Sequence, residues 1–295
     1  MKRFLITGAG GFIGSSLVEK LADNHEVEII AIYSKAPFLN NPRVESVIAD
    51  LSKPGWTESI PTPVDVVYHL AQSKRYREFP DGAIDMSAVN ITSTVEILGW
   101  SLKNSVKKFI YTSTANVFKK STCKIKSTHP CEPKSMYSAT KLSAEFIIKQ
   151  YEEYFQIIIL RLFTIYGPKQ RNMLIPTLIE KVSLGQEIFL ANGVGIYLTP
   201  LFISDCIEAL LKLVDLNRSK TILYNLAGSE IIDLSEILDI LEGFLNKKSN
   251  RINTNEEPLY ITGSNDRISH NILYQPKINI YEGLKKTVKE YFKNV

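Results

Sequence analysis

Tyr137 and Lys141 lie four residues apart in Ser135-Met136-Tyr137-Ser138-Ala139-Thr140-Lys141, so on a helix they share one face. A phenol titrates at about 10, too high for a base at neutral pH. A neighbouring ammonium favours the phenolate and lowers that value, which makes the pair a candidate general base for an alcohol. Tyrosine and lysine at this spacing also occur as an ordinary surface pair, and the preceding segment decides between the two. That segment, Tyr111-Thr112-Ser113-Thr114-Ala115-Asn116-Val117-Phe118, closes an apolar strand with a run of hydroxyls. At the carboxyl end of such a strand, Thr114 can hold a substrate oxygen while Tyr137 takes its proton. The lysine can also reach the ribose of a hydride-accepting cofactor, which ties the base to the acceptor.

The stretch that would hold such a cofactor is Ile6–Ser16, ITGAGGFIGSS. Gly8, Gly11 and Gly14 stand three apart between a short apolar run and an apolar-periodic segment. The first glycine turns the chain sharply off a strand, the second lets backbone approach a pyrophosphate, and the third lets the helix pack closely. The helix amino end then faces the anion. The second strand of such a fold normally ends in an acid that holds the adenosine ribose hydroxyls of NAD. Here that end reads Tyr33-Ser34-Lys35, with Arg43 further on and no carboxylate, which leans toward a 2′-phosphate; the cofactor is NAD or NADP. Asp50-Leu51 follows the third strand, where the carboxylate either accepts from an adenine amino group or fastens a turn.

These residues need a frame. Strands are expected at Lys2–Thr7, 26–33, Val44–Ile48, 64–70, 109–113 and 157–162. Helices are expected at Phe12–Ala22, 84–102 and 136–154. Strand–helix alternation predicts an α/β fold, a doubly wound parallel sheet of Rossmann type, with the glycine turn at its carboxyl edge. After Tyr166-Gly167-Pro168 the pattern loosens, with helices expected at 172–184, 205–216, Leu234–Leu245 and 280–292 and a strand at Ile222–Leu226. The expected division is a dinucleotide-binding domain at 1–166, to which 201–228 returns, and a smaller, irregular carboxyl-terminal substrate lobe at 167–200 and 229–295.

The 295 residues are 44% hydrophobic, enough for a large core, and the 35 basic and 31 acidic side chains leave a net charge of +4. So small an excess, spread along the chain, argues against a nucleic-acid partner. Cys123, Cys131 and Cys206 have no metal-type spacing and suit a reducing cytoplasm. No signal peptide and no apolar run long enough for a bilayer is evident, so no membrane role is expected. His69 is expected to pack at a strand end.

Taken in order, the glycine turn, His69-Leu70-Ala71, Asn90, Ser113-Thr114, Tyr137-x-x-x-Lys141, Arg161, Tyr166-Gly167-Pro168, Asn225-Leu226-Ala227-Gly228 and Gln275-Pro276 resemble the extended short-chain dehydrogenase/reductase superfamily, in its NAD-dependent epimerase/dehydratase branch. The resemblance implies that Gly8, Gly11, Phe12, Ile13 and Gly14 cradle the pyrophosphate. It implies that Asp50 and Leu51 contact adenine and that Leu70 and Ala71 line the middle of the cofactor. Thr114, Tyr137 and Lys141 become a catalytic triad, with Gln72, Asn116, Thr164, Arg171 and Asn172 toward the substrate. Members typically oxidise a sugar carbon attached to a nucleoside diphosphate. Where sugar 4,6-dehydratases carry Asp-Glu after the threonine, this chain has Ala115-Asn116, which speaks against water elimination. Thr164 replaces a usual asparagine, and Leu198 a usual phosphate-binding arginine, for which Arg171, Lys169 or Asn172 would substitute. The expected activity is a nucleotide-sugar epimerase. The alternatives are an NADPH-dependent keto-sugar reductase, a non-catalytic nucleotide sensor, and oxidation of a small alcohol carrying no nucleotide. By analogy with relatives, helices 84–102 and 136–154 would pair in a homodimer.

Overall fold

The computed structural model describes residues 1–37, 41–217 and 221–293. The chain forms two compact units: Met1–Lys119 with Pro130–Arg161 and Leu210–Tyr224, and Lys120–His129 with Leu162–Ala209 and Asn225–Val295.

The first unit is built on β1 (Lys2–Thr7), β2 (Val27–Tyr33), β3 (Val44–Ile48), β4 (Val66–His69), β5 (Lys108–Thr114) and β6 (Gln156–Leu162). The seven-stranded sheet runs Ile222–Leu226, β6, β5, β4, β1, β2, β3. The β3-β2-β1-β4-β5 portion pairs in parallel, with Thr7 beside both Ile32 and His69. β4 and β5 are buried along their whole length, as strands covered on both faces must be. The strand order reverses between β1 and β4, and ligands of such sheets bind at the carboxyl side of that switch.

Helix α1 (Phe12–Ala22) follows the glycine turn and buries Gly14, Leu17, Val18, Leu21 and Ala22. The expected helix 84–102 is interrupted. It comprises α2 (Ala83–Ser87), a π-helical turn Ala88–Thr92, and α3 (Ser93–Lys103). The wide turn carries buried Asn90, whose Oδ1 accepts from the Ser73 N–H (2.9 Å) and whose Nδ2 donates to Thr140 Oγ1 (3.0 Å).

Helix α4 (Met136–Lys149) is shorter than the expected 136–154. It stops because Phe155 turns back into the core, where its ring lies 5.9 Å from both Phe109 and Tyr151. Its start is sharp: Ser135 Oγ accepts from the Ser138 N–H (3.2 Å) and Ser138 Oγ from the Ser135 N–H (3.1 Å). That reciprocal cap puts Tyr137 in the first turn and Lys141 one turn further.

In the second unit, α5 (Leu174–Leu184) begins two residues later than expected, after Met173, and ends at Gly185, whose φ is +67°. The helix expected at 205–216 runs Ile203–Lys212, and the closing helix Ile280–Tyr291. The short strands Ile232–Asp233, Ile196–Leu198 and Leu259–Ile261 form a three-stranded sheet, and Asn250–Thr254 pairs in parallel with Glu187–Ala191. These strands carry too few alternating residues to stand out from loops in the sequence. No helix among the described residues is long and apolar enough to cross a membrane.

Candidate active site

The glycine turn leaves β1 at Gly8, whose φ of +70° suits glycine. Two close approaches fix the residue types. A Cβ on Gly8 would stand 2.9 Å from the Ala71 backbone, and one on Gly14 would stand 2.1 Å from the Gly8 carbonyl oxygen. The turn therefore sits against the end of β4, at the strand-order switch. Gly10 and Gly11 face outward, and Gly11 supplies no side chain to cap α1. An open turn, free of side chains, with unfilled amides at the start of a helix fits the pyrophosphate of a dinucleotide.

A relay of hydrogen bonds locks the floor of this corner. The Ala71 N–H donates to Thr7 Oγ1 (3.3 Å), which pairs with His69 Nδ1 (2.7 Å). On the other side His69 Nε2 pairs with Thr94 Oγ1 (3.0 Å), and Thr94 donates to the Asn90 carbonyl (2.9 Å). Because Thr94 spends its proton on Asn90, Nε2 must be the donor and Nδ1 the acceptor from Thr7. The imidazole is neutral and fully buried. Burial, with Lys141 nearby, pushes it down to about 3. The packing role expected for His69 is what the structure gives it.

At the carboxyl end of β5, Thr114 Oγ1 accepts from the Asn116 N–H (3.2 Å), and Ala115–Val117 form a tight turn. The half-buried Tyr137 donates its hydroxyl to Gln72 Oε1 (2.8 Å), and Thr114 lies within hydrogen-bonding reach of the same phenol. Tyr76, which no sequence pattern singled out, packs its ring 5.3 Å from that of Tyr137. The structure thus brings Thr114, Tyr137 and Gln72 together.

Lys141 is buried, with its ammonium 4.2 Å over the Tyr111 ring. Glu145, one helical turn on, is its obvious partner, but both Glu145 oxygens are taken by Arg161, at 2.9 Å from Nε and 2.6 Å from Nη2. Burial pushes Lys141 down to about 7, with Glu145 opposing. One expectation is corrected here. Burial raises the Tyr137 phenol to about 12, against a lowering contribution from Thr114. The ammonium does not pull it down, because it lies on Tyr111 and is itself only partly charged near neutrality.

The remaining predicted residues sort as follows. Ser34 and Lys35 are exposed just beyond β2. Arg43 turns to His25 and the Ala22 carbonyl (3.4 Å), at the amino end of β3, so it does not serve the ribose corner. Asp50 acts as a turn residue: Oδ1 accepts from the Ser52 N–H (3.0 Å) and Oγ (2.7 Å), which lowers its titration. Thr164, Arg171 and Asn172 belong to the second unit. There Arg171, Asn172 and Lys169 line a cavity of about 230 Å³ beside the start of α5, whereas Thr164 does not. Leu198 is buried at 1% exposure. No group of three or more metal-ligating side chains occurs among the described residues.

Residues 4–227 match the profile of the "NAD dependent epimerase/dehydratase family". A Bacillus subtilis protein described as "Uncharacterized UDP-glucose epimerase YtcB" is 25% identical, with 97% of this chain and 96% of that one aligned. Human dTDP-D-glucose 4,6-dehydratase is 25% identical over 99% of this chain and 91% of its own. Among solved structures, UDP-glucuronic acid 4-epimerase from Bacillus cereus, in complex with UDP-glucuronic acid and NAD, superposes with a TM-score of 0.87 at 23% identity. That alignment covers 99% of this chain and 100% of the other, and the likeness is one of fold.

The His69 relay has a measurable consequence. A histidine held near 3 in the fold binds a proton more readily once unfolded, where its value is about 6.5. The unfolded state therefore binds more protons between these values, and stability is lost as pH falls from 6.5 toward 3. Ring NMR shifts of His69 should remain those of the neutral, Nε2-protonated form at about pH 5. A His69 that is already protonated there would contradict the relay.

Proposed function

The chain belongs to the NAD-dependent epimerase/dehydratase family, within the extended short-chain dehydrogenase/reductase superfamily, and from that premise we propose an NAD(P)-dependent epimerase acting on a nucleotide-linked sugar. The observation that carries this reading is the Tyr137 hydroxyl, set beside Thr114 and Gln72, with Lys141 buried one helical turn away. The first unit is the dinucleotide-binding domain and the second the substrate lobe.

The bound dinucleotide supplies a hydride acceptor for the sugar carbon and later a hydride donor to its opposite face. In this reading the open turn of Gly8, Gly11 and Gly14, with the amides of Phe12 and Ile13 at the start of α1, holds the pyrophosphate. Ser34 and Lys35 meet the adenosine ribose, Asp50 and Leu51 the adenine, and Leu70 and Ala71 the middle of the cofactor. Lys141 binds the nearer ribose and supplies positive charge. Tyr137 takes the proton of the sugar hydroxyl and returns it after inversion, while Thr114 orients the oxygen. Gln72 accepts from the phenol until substrate replaces it. Asn116, Thr164, Arg171 and Asn172 face the substrate.

Epimerisation is favoured over dehydration by the turn after Thr114. Ala115 is a buried methyl and Asn116 an amide, so neither can donate or remove the proton that elimination requires. With Leu198 apolar and buried, Arg171, Lys169 and the open amino end of α5 are the remaining candidates for the sugar diphosphate.

We also propose a homodimer. Helices α3 and α4 pack side by side, and exposed Val95, Leu102 and Phe146 lie on them. A second copy would cover these side chains as a bundle of four helices. Light scattering should give twice the 33.3 kDa chain mass, and a monomer with native Phe146 would contradict it.

With UDP- or dTDP-sugars as substrate, Tyr137→Phe should lower kcat by about 10²–10⁴-fold. Activity should rise with pH as the phenol ionises. Lys141, held down to about 7, is neutral by the time the phenol ionises, so Lys141→Met should leave the position of that rise unchanged. Full turnover by Tyr137→Phe would end the assignment, and consumption of NADPH by a keto-sugar without sugar inversion would replace epimerase by reductase.

A further inference from the structure

Helix α4 buries two opposite charges on one stripe. Lys141 is 2% exposed and Glu145 0%, and their four-residue spacing puts them on the same face. Two such groups, both withdrawn from water, are expected to pair. They do not. Among the described residues Lys141 Nζ makes no hydrogen bond, and it rests 4.2 Å over the Tyr111 ring.

The reason lies on the neighbouring strand. Arg161, buried in β6, donates from Nε to Glu145 Oε1 (2.9 Å) and from Nη2 to Oε2 (2.6 Å). A guanidinium fork matches both oxygens of a carboxylate at once, which an ammonium cannot do. The guanidinium is itself held. Its centre lies 4.5 Å over the Phe118 ring, and the Cys131 thiol is within hydrogen-bonding reach. Phe118 and Cys131 face each other across an antiparallel bridge, with the Lys119 N–H donating to the Pro130 carbonyl at 2.9 Å, so both contacts come from paired backbone.

The other titratable groups beside Lys141 are the His69 imidazole and the Tyr111 and Tyr137 phenols, all neutral at neutral pH. Glu145 is therefore the anion that Lys141 would meet if the carboxylate were released. We propose that Arg161 is a positioning residue for the reaction: by holding both Glu145 oxygens it keeps the carboxylate off Lys141 and leaves the lysine N–H groups unpaired for the reacting groups. The inference rests on the Tyr137–Lys141 reading of the site and deepens it, with Arg161 acting through Glu145.

NMR titration of the Lys141 side chain in the full chain reads this without turnover. Native Lys141 should titrate at about 7. In Arg161→Gln the freed carboxylate should turn to the lysine and move that midpoint up by at least about one pH unit, because an opposite charge at contact favours the ammonium. With a nucleotide sugar as substrate, kcat of that variant should fall at least about tenfold with KM little changed, as for a group that acts after binding. Glu145→Leu combined with Arg161→Met removes both charges, an exchange that buried pairs often tolerate. In this double variant Lys141 should titrate at about 7 or below, and kcat should recover most of the loss. A pair with a structural role alone gives another pattern. Either an unchanged Lys141 midpoint in Arg161→Gln, or a double variant no more active than the single one, overturns the proposal. Should Arg161→Gln not fold, the double variant decides alone, because a Lys141 midpoint well above 7 with no carboxylate left to raise it also overturns the proposal. A native chain that turns over no nucleotide sugar removes the proposed function, and the midpoints still test the pairing.

Discussion

A buried lysine left without a carboxylate is the condition on which the site depends. Lys141 and Glu145 are one turn apart on α4 and would pair if nothing intervened. Arg161, from β6, takes both Glu145 oxygens in a bidentate pair that is itself almost wholly buried. Breaking such a pair by removing one partner costs about 3–5 kcal/mol, so the arrangement resists rearrangement. Its chemical result is that the lysine rests on the Tyr111 ring, only partly charged near neutrality, with its N–H groups left for an incoming hydroxyl or ribose. A lysine paired with Glu145 would serve neither.

The scaffold serves that condition from three directions. The Ser135 cap sets the first turn of α4, and with it the Tyr137–Lys141 spacing. The π-turn carrying Asn90 ties the loop after β4 to α4 through Ser73 and Thr140. The His69 relay presses Ala71 against Gly8, so the glycine corner and the catalytic helix share one continuous polar frame. Ser135 apart, which is exposed, these groups are buried and hydrogen-bonded, which makes the frame rigid rather than adaptable.

What the sequence made legible followed from strong local signals. The ends of β1, α1, β3 and the strand Ile222–Leu226 stand where periodicity and the glycine turn put them. The parallel order followed from alternation. The glycine corner and the α4 pair were readable because spacing alone defines them. What escaped depends on tertiary contacts. Phe155 shortens α4 by returning to the core, and the π-turn of Asn90 has no signature in periodicity. The small strands of the second unit are too short for an alternating pattern to show. Tyr76 reaches the site from a loop whose path the sequence does not specify. Arg43 looks suitable by its charge and nearness in sequence, yet it sits at the wrong end of β3. The pKa of Tyr137 departs from expectation for a similar reason: helical spacing gives a shared face, but it does not say that burial outweighs the neighbouring charge.

The most direct test of the unpaired lysine is the titration of Lys141 itself, followed by NMR of the side-chain carbon next to the ammonium in the full chain. A midpoint of about 7 is predicted, far below an ordinary lysine at about 10.4. A midpoint at the ordinary value would mean that Lys141 is solvated or paired with Glu145, and would contradict the account.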